Sequence, residues 1–334
     1  MQPAVALTDV TKSFRVRRAP RPGVAARVRD LFGRATETVL AIDQLSFTIG
    51  RGERVAFIGP NGAGKSTTLK VLAGILQPDA GDVRVLDLVP SRQRRQLAFQ
   101  IGTVFGQRSQ LWYQLPPRDT FELLGRVYGI DRAVHKRRVE SLAALFGLSP
   151  LIGTPVRHLS LGERMRCEIM ASLLHSPRML FLDEPTIGLD VSAKAVIREL
   201  LRSESERERV TLLLTSHDTG DMERVCTRVI VISHGRLIWD GPIAELRRSY
   251  LKTKRVTLWS EAEHLALALP GVRVRSSGSY RTELEVTLDI TPLGQVVDTA
   301  LRQTAIRDMA IEDAPLDEVI QAFYANADRA SEGA

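Results

Sequence analysis

Gly59-Pro60-Asn61-Gly62-Ala63-Gly64-Lys65-Ser66-Thr67 is the stretch that decides how this chain is read. It satisfies the phosphate-loop spacing: a glycine, four further residues, then Gly-Lys-Ser. Val55-Ala56-Phe57-Ile58 enters the loop as an apolar strand, and Lys65–Ile75 leaves it with helical periodicity. That strand–loop–helix order is the context the motif requires. Glycines let backbone N–H groups turn toward a phosphate chain with no Cβ in the way. The helix that follows adds unpaired N–H groups and the positive end of its dipole. Lys65 is placed to reach the β- and γ-phosphates, and the Ser66 hydroxyl to ligate Mg2+. A Gly-rich turn before an ordinary helix would not need all these positions filled together. The expectation is a nucleoside triphosphate site.

A second stretch says what is done with the nucleotide. Met179-Leu180-Phe181-Leu182 is a strand apolar on both faces, and Asp183-Glu184 closes it. Strand ends of this kind are where open α/β sheets bind ligands. Asp183 is suited to hold Mg2+ through water. Glu184, one residue on, faces differently and can polarise the water that attacks the γ-phosphate. Phosphoryl transfer needs mainly positioning and charge stabilisation, which these groups supply.

The chain has 334 residues, enough for one large domain and a smaller one, and a net charge of +7. Arg15, Arg17, Arg18, Arg21, Arg27, Arg29 and Arg34 crowd one segment, and Arg92, Arg94 and Arg95 another. Solvated basic loops and contact with acidic lipid or a partner both account for them. Neither cluster is interleaved with aromatic residues, which argues against a single-stranded nucleic-acid face. No run approaches the roughly 18–20 apolar residues of a membrane span. The start of the chain lacks the pattern of a secretory signal. Cys167 and Cys226 form no C-x-x-C pattern and read as reduced thiols.

Taken in order, Ala4–Val10 reads as a strand, 15–38 as a basic insertion with a short helix near Val24–Phe32, and Leu45–Ile49 as a strand. Gly81–Leu86 and Ile101–Phe105 are further strands, and 117–174 is an inserted helical subdomain. Strands return at Met179–Leu182, Val210–Leu214 and Val229–Ile232, with a helix near Ala193–Glu208. A boundary at 249/250 separates this α/β domain, 1–249, from an accessory domain, 250–334. There, strands at Arg255–Trp259, Val272–Ser276, Glu283–Leu288 and Ile306–Ile311 alternate with helices at Glu261–Leu269 and Pro292–Gln303, and a last helix covers Leu316–Ala325. That βαββαβ order predicts a small ferredoxin-like α+β domain.

Five motifs in register carry a resemblance. Gly59–Thr67, Leu159-Ser160-Leu161-Gly162-Glu163, Asp183-Glu184-Pro185-Thr186, Gly188-Leu189-Asp190 and Thr215-Ser216-His217-Asp218 resemble, in order and spacing, those of the ATP-binding cassette (ABC) ATPases. The likeness spans roughly Val5 to Leu246. It implies a phosphate-loop ATPase core with an antiparallel β subdomain and the helical subdomain, ATP and Mg2+ as cofactors, and head-to-tail pairing of two cassettes. In that pairing Ser160 and Gly162 reach the other chain's ATP, and Asp190 lies at the seam. His217 corresponds to the residue that contacts the γ-phosphate, and Gln107 to the one that meets Mg2+ and the attacking water. Phe14 corresponds best to the aromatic that stacks on adenine, and a packed core aromatic is the alternative. Leu161 and Glu163 replace the commoner Gly and Gln. Activity is expected to survive, with the Glu163 charge weakening closure of the pair.

One phosphate loop and one signature segment make half of a complete unit. Gly106-Gln107-Arg108-Ser109-Gln110-Leu111-Trp112, the run from Asp183 to Asp190 and the appended domain most resemble bacterial exporter ATPases of the drug or glycoconjugate branch. The resemblance implies a second ABC subunit, a separate membrane permease, and a peripheral place on the cytoplasmic face of the membrane. The region 105–116 would border the permease, or else form a structured loop with Trp112 tucked into the helical block. A soluble cassette ATPase acting on nucleic acid or ribosomes is the rival, supported by the basic balance.

Overall fold

Four runs of the chain are too uniformly apolar to serve as half-exposed strands, and they become the centre of a sheet covered on both faces. The computed structural model describes residues 2–17, 36–106, 109–216, 218–250, 253–313 and 320. Its central sheet is built from β3 (Arg54–Ile58), β5 (Ile101–Phe105), β6 (Met179–Asp183), β7 (Thr211–Thr215), β8 (Arg228–Ser233) and β9 (Arg236–Pro242) in the order β5-β6-β7-β3-β8-β9. The β5–β6, β6–β7, β7–β3 and β3–β8 pairs are all parallel, so their carboxyl ends share one edge. Every β7 residue is buried, as are four of the five in β3 and β6. Register puts Asp183 level with Phe105 on one side and Thr215 on the other.

A second, antiparallel sheet has the order β2-β1-β4, with β1 (Val5–Arg17), β2 (Thr36–Ile49) and β4 (Ala80–Val85). Phe47 of β2 and Phe57 of β3 meet at a ring-centroid distance of 5.7 Å, within one apolar cluster that joins the two sheets. Both strands reach further than expected. Arg15, Val16 and Arg17 pair with Thr38, Glu37 and Thr36, so the flanks of the 15–38 insertion are a β-ladder. A chain that must return antiparallel can keep pairing through polar residues where neither face is buried. Residues 18–35, with the expected helix near Val24–Phe32, lie outside the described residues.

The helices α1 (Lys65–Leu72), α2 (Arg94–Ala98), α6 (Val191–Glu208) and α7 (Thr219–Val225) belong to the sheet layers by sequence position. The inserted subdomain contains α3 (Pro117–Val127), α4 (Arg132–Leu145) and α5 (Leu161–Leu173), packed around the fully buried Phe121, Leu142 and Phe146. Asp131 caps α4 by accepting from the N–H groups of Ala133 and Val134. Among the described residues, no helix is long and apolar enough to cross a membrane.

The chain divides into compact units at 1–241 and 242–334, ahead of α8 (Ile243–Tyr250) rather than after it. The second unit carries an antiparallel sheet of order β11-β12-β10-β13, from β10 (Thr253–Ser260), β11 (Val272–Gly278), β12 (Arg281–Thr287) and β13 (Ile306–Asp313), with helix α9 (Leu293–Gln303). This is the ferredoxin-like strand order with its first helix missing. The segment 261–269, expected to be helical, is irregular. Leu265 and Leu267 are buried at 3% and 4% exposure while Ala266 and Ala268 are exposed, so the apolar period there is two. A helix would have turned one leucine outward. The expected helix at 316–325 lies, apart from residue 320, outside the described residues.

Candidate active site

The nine-residue loop begins where β3 ends, and its glycines are set by close approaches. A Cβ on Gly59 would lie 2.5 Å from the carbonyl oxygen of Ile232 in β8. Gly64 has φ +102°, and a Cβ there would lie 2.2 Å from the carbonyl oxygen of Ala41 in β2. The loop is thus wedged between the two sheets. Gly64 is also the N-cap of α1, and no side chain caps that helix end. Its first-turn N–H groups are therefore offered to an anion. Lys65 is 6% exposed, and its Nζ donates to the carbonyls of Gly59 at 2.6 Å and Pro60 at 3.1 Å. Burial lowers its pKa, while the carboxylates of Glu184 and Asp183 oppose that shift. The ammonium thus stands in the field of both acids that close β6.

At the end of β6, Asp183 Oδ1 accepts from Ser66 Oγ at 3.1 Å and from Thr215 Oγ1 at 2.7 Å. Helix α1, β6 and β7 each contribute one hard oxygen donor to this point, the set that suits Mg2+. The main chain of Asp183 also accepts from Gly106 N–H at 3.2 Å, tying in the end of β5. Glu184 has φ +54°, left-handed backbone for a residue with a Cβ, a conformation costing about 1–2 kcal/mol. Its N–H donates to Thr215 at both the carbonyl and Oγ1, each at 3.1 Å. This break in the strand's alternation separates Glu184 from the pleat that orients Asp183. Gln107 and His217 lie outside the described residues.

The signature segment stands on α5. Ser160 Oγ accepts from Glu163 N–H at 3.2 Å, and Glu163 Oε2 accepts from Ser160 N–H at 2.8 Å, a reciprocal capping box. A Cβ on Gly162 would lie 2.9 Å from Ala193 Cβ at the start of α6, whose N-cap is Asp190. Ser160, Gly162, Gly188, Asp190 and Ala193 line a surface depression of about 330 Å3, whose other lining residues also come from 161–166 and 189–196. Ser160, Leu161 and Asp190 are exposed. The signature site and the phosphate loop are thus two separate places on one chain.

Comparison with known proteins agrees with this arrangement. A profile of the family described as "ABC transporter" matches residues 42–187. The ABC transporter ATP-binding protein NatA of Bacillus subtilis is 33% identical over 213 residues, 64% of this chain and 86% of that protein. The daunorubicin/doxorubicin resistance ATP-binding protein DrrA of Streptomyces peucetius is 32% identical over 295 residues, 85% of this chain and 87% of that one. This chain belongs to the ABC transporter ATP-binding proteins. A Nod factor export ATP-binding protein I from Ralstonia nicotianae is 33% identical, over 79% of this chain and 84% of that protein. An ATP-binding cassette solved as a dimer in a post-hydrolysis state with ADP and Pi shares the fold, with a TM-score of 0.59 over 72% of this chain and 98% of that one at 24% identity.

Within this cassette, Phe14 sits on β1 opposite Val39 of β2, 37% exposed, with Lys12 Nζ 5.7 Å from its ring centroid. It is a surface aromatic on the hairpin that presses Ala41 against Gly64, not a packed core residue. Trp112 is 48% exposed, and Leu111 fills the interior in its place. The reading with Trp112 tucked into the helical block is thereby corrected: one residue earlier in the loop points inward.

The sequence reading missed a buried polar hub. Asp221 of α7 is fully buried and accepts from Thr186 Oγ1, Ser216 Oγ and Arg198 Nε. Arg198 and Lys194 of α6 also reach Asp218, at 2.8 and 2.6 Å. Thr186 follows Glu184 closely, and Ser216 adjoins His217 in sequence. Nothing in the local pattern marks Asp221, because its partners are distant in the chain.

Proposed function

We propose that this chain is the ATP-hydrolysing subunit of an exporter, acting as a head-to-tail pair of cassettes on a separate membrane permease at the cytoplasmic face. The observation that carries this reading is the division of the nucleotide machinery into two surfaces. One holds the phosphate loop, Asp183 and Glu184; the other presents Ser160 and Gly162 beside Asp190. Two antiparallel copies would bring each surface against the other's partner. The export names carried by the Nod factor and daunorubicin relatives support the direction of transport.

In this reading Gly59–Thr67 wraps the phosphates with backbone N–H groups, Lys65 neutralises the β- and γ-oxygens, and Phe14 stacks on adenine. Ser66 and Asp183, with Gln107, would hold Mg2+, which would supply neutralisation of the triphosphate's negative charge. Glu184 accepts a proton from the attacking water, and His217 contacts the γ-phosphate. Ser160 and Gly162 complete that phosphate's contacts from the opposite chain, with Asp190 at the seam. The exposed Trp112, Tyr113 and Leu115 face the permease.

The decisive experiment is Glu184→Gln in the full chain. ATP turnover should fall by at least about 100-fold while ATP-dependent dimers accumulate on size exclusion. Hydrolysis at the wild-type rate would remove Glu184 from the base role. Co-purification with a membrane subunit tests the transporter reading.

A further inference from the structure

One buried carboxylate in the first unit takes no part in the chemistry above. Glu168 lies on α5 about two turns beyond Ser160, and it is 5% exposed. Ser109 Oγ donates to its Oε1, and Gln110 N–H donates to both of its oxygens at 3.1 Å. Ser109 Oγ also accepts from Leu111 N–H at 3.1 Å, which closes the turn. Gln110 Nε2 donates back to the Thr103 carbonyl of β5 at 2.7 Å. A second link from the same helix lies nearby, where the Arg164 guanidinium sits 6.0 Å from the Tyr113 ring centroid.

Burying a carboxylate carries a desolvation cost that an apolar side chain would avoid. Burial raises the Glu168 pKa, and the Ser109 and Gln110 donors oppose that shift. What the carboxylate adds is direction. Its two oxygens both accept from the turn, one from the Ser109 hydroxyl and both from the Gln110 N–H. Immediately beyond that turn, Trp112 and Tyr113 are 48% and 55% exposed. At the other end of the same rigid helix stand Ser160 and Gly162.

We propose that Glu168 is a positioning residue that locks the exposed 109–115 loop to the signature helix. A push on the loop is then carried to Ser160 and Gly162 instead of being absorbed between them. This inference rests on the reading of Ser160 and Gly162 as ATP-completing groups.

Steady-state ATP turnover of the full chain tests it. Glu168→Gln keeps the shape but replaces one of the two acceptor oxygens, both used by the Gln110 N–H, with an NH2. It should lower kcat about tenfold and leave the KM for ATP within about twofold, because the phosphate loop is untouched. Ser109→Ala should lower kcat less and add nothing to Glu168→Gln in the double variant. Ser109→Thr, which restores the hydroxyl, should recover wild-type turnover. Should Glu168→Gln fail to fold, the Ser109→Ala and Ser109→Thr pair decides alone. Additive losses, a KM that rises with the fall in kcat, or a Ser109→Thr as poor as Ser109→Ala would each overturn the lock. Unchanged kcat in every variant would overturn it too and leave the ATPase reading standing. A wild-type chain with no ATP turnover would overturn both.

Discussion

Arg198 Nε donates to Asp221 at 2.6 Å, and the acceptor is fully buried. The pair joins α6 to α7 and, through the same carboxylate, to Thr186, two residues beyond Glu184, and Ser216, next to His217 in sequence. Removing one partner of a buried pair strands the other. Asp221→Ala should destabilise the first unit by about 3 kcal/mol, the low end for such a loss because Asp218 still takes the other guanidinium nitrogen. Urea unfolding measures this. A change below about 1 kcal/mol would mean that the hub is not structural.

Gly64→Ala meets two obstacles at once, a φ of +102° and the Ala41 carbonyl 2.2 Å from the new Cβ. The loop or the hairpin has to shift. ATP binding should weaken by at least about tenfold, and isothermal titration would show it. Gly62→Ala should be milder, because its positive φ is the only cost and nothing lies within 4 Å of its Cβ.

Glu163 is expected from sequence to hinder closure, yet its carboxylate is engaged by the N–H of Ser160. Glutamine serves equally well at that capping position. Glu163→Gln should therefore change stability by under about 0.5 kcal/mol and leave ATP turnover equal or higher, whereas Glu163→Ala should cost about 1 kcal/mol. Turnover that falls in Glu163→Gln would show the charge itself is needed.

Asp79 accepts from Lys12 Nζ at 2.6 Å, and from the Ser13 N–H at 2.7 Å and hydroxyl at 2.8 Å. These contacts, the Lys12 bond foremost, hold its pKa down at about 2. A folded pKa below the unfolded one stabilises the fold above the ordinary carboxylate range and loses that gain as pH falls through about 2. The stability gap between wild type and Asp79→Ala should shrink over this window in urea titrations. Solvent screening at this surface site keeps the gap small. A gap that widens on acidification would refute the linkage.

Cys167 and Cys226 are buried, and burial pushes the Cys167 thiol up to about 12 and the Cys226 thiol higher still. Neither should react with iodoacetamide at neutral pH until the chain unfolds, which mass spectrometry reads directly. Labelling of the native protein would contradict the packing.

What could be read without coordinates was whatever a few neighbouring residues settle among themselves. The spacing from Gly59 to Thr67, the apolar run into Asp183-Glu184 and the Ser160-to-Glu163 interval each encode a local strand end, loop or cap. Tertiary structure decided the rest, because its partners are far apart in the chain. Leu265 and Leu267 look helical among Glu261, Glu263 and His264, until a sheet offers an apolar face to an extended segment. Glu168 is an unremarked acid on a helix until Ser109 and Gln110 arrive with donors, and Asp221 waits likewise for Thr186, Ser216 and Arg198. The separation of the signature depression from the phosphate loop belongs to the same class. Motifs name the groups proposed to touch a phosphate; only the folded chain sets those groups on two surfaces, since distances between remote residues are fixed by packing and not by sequence interval.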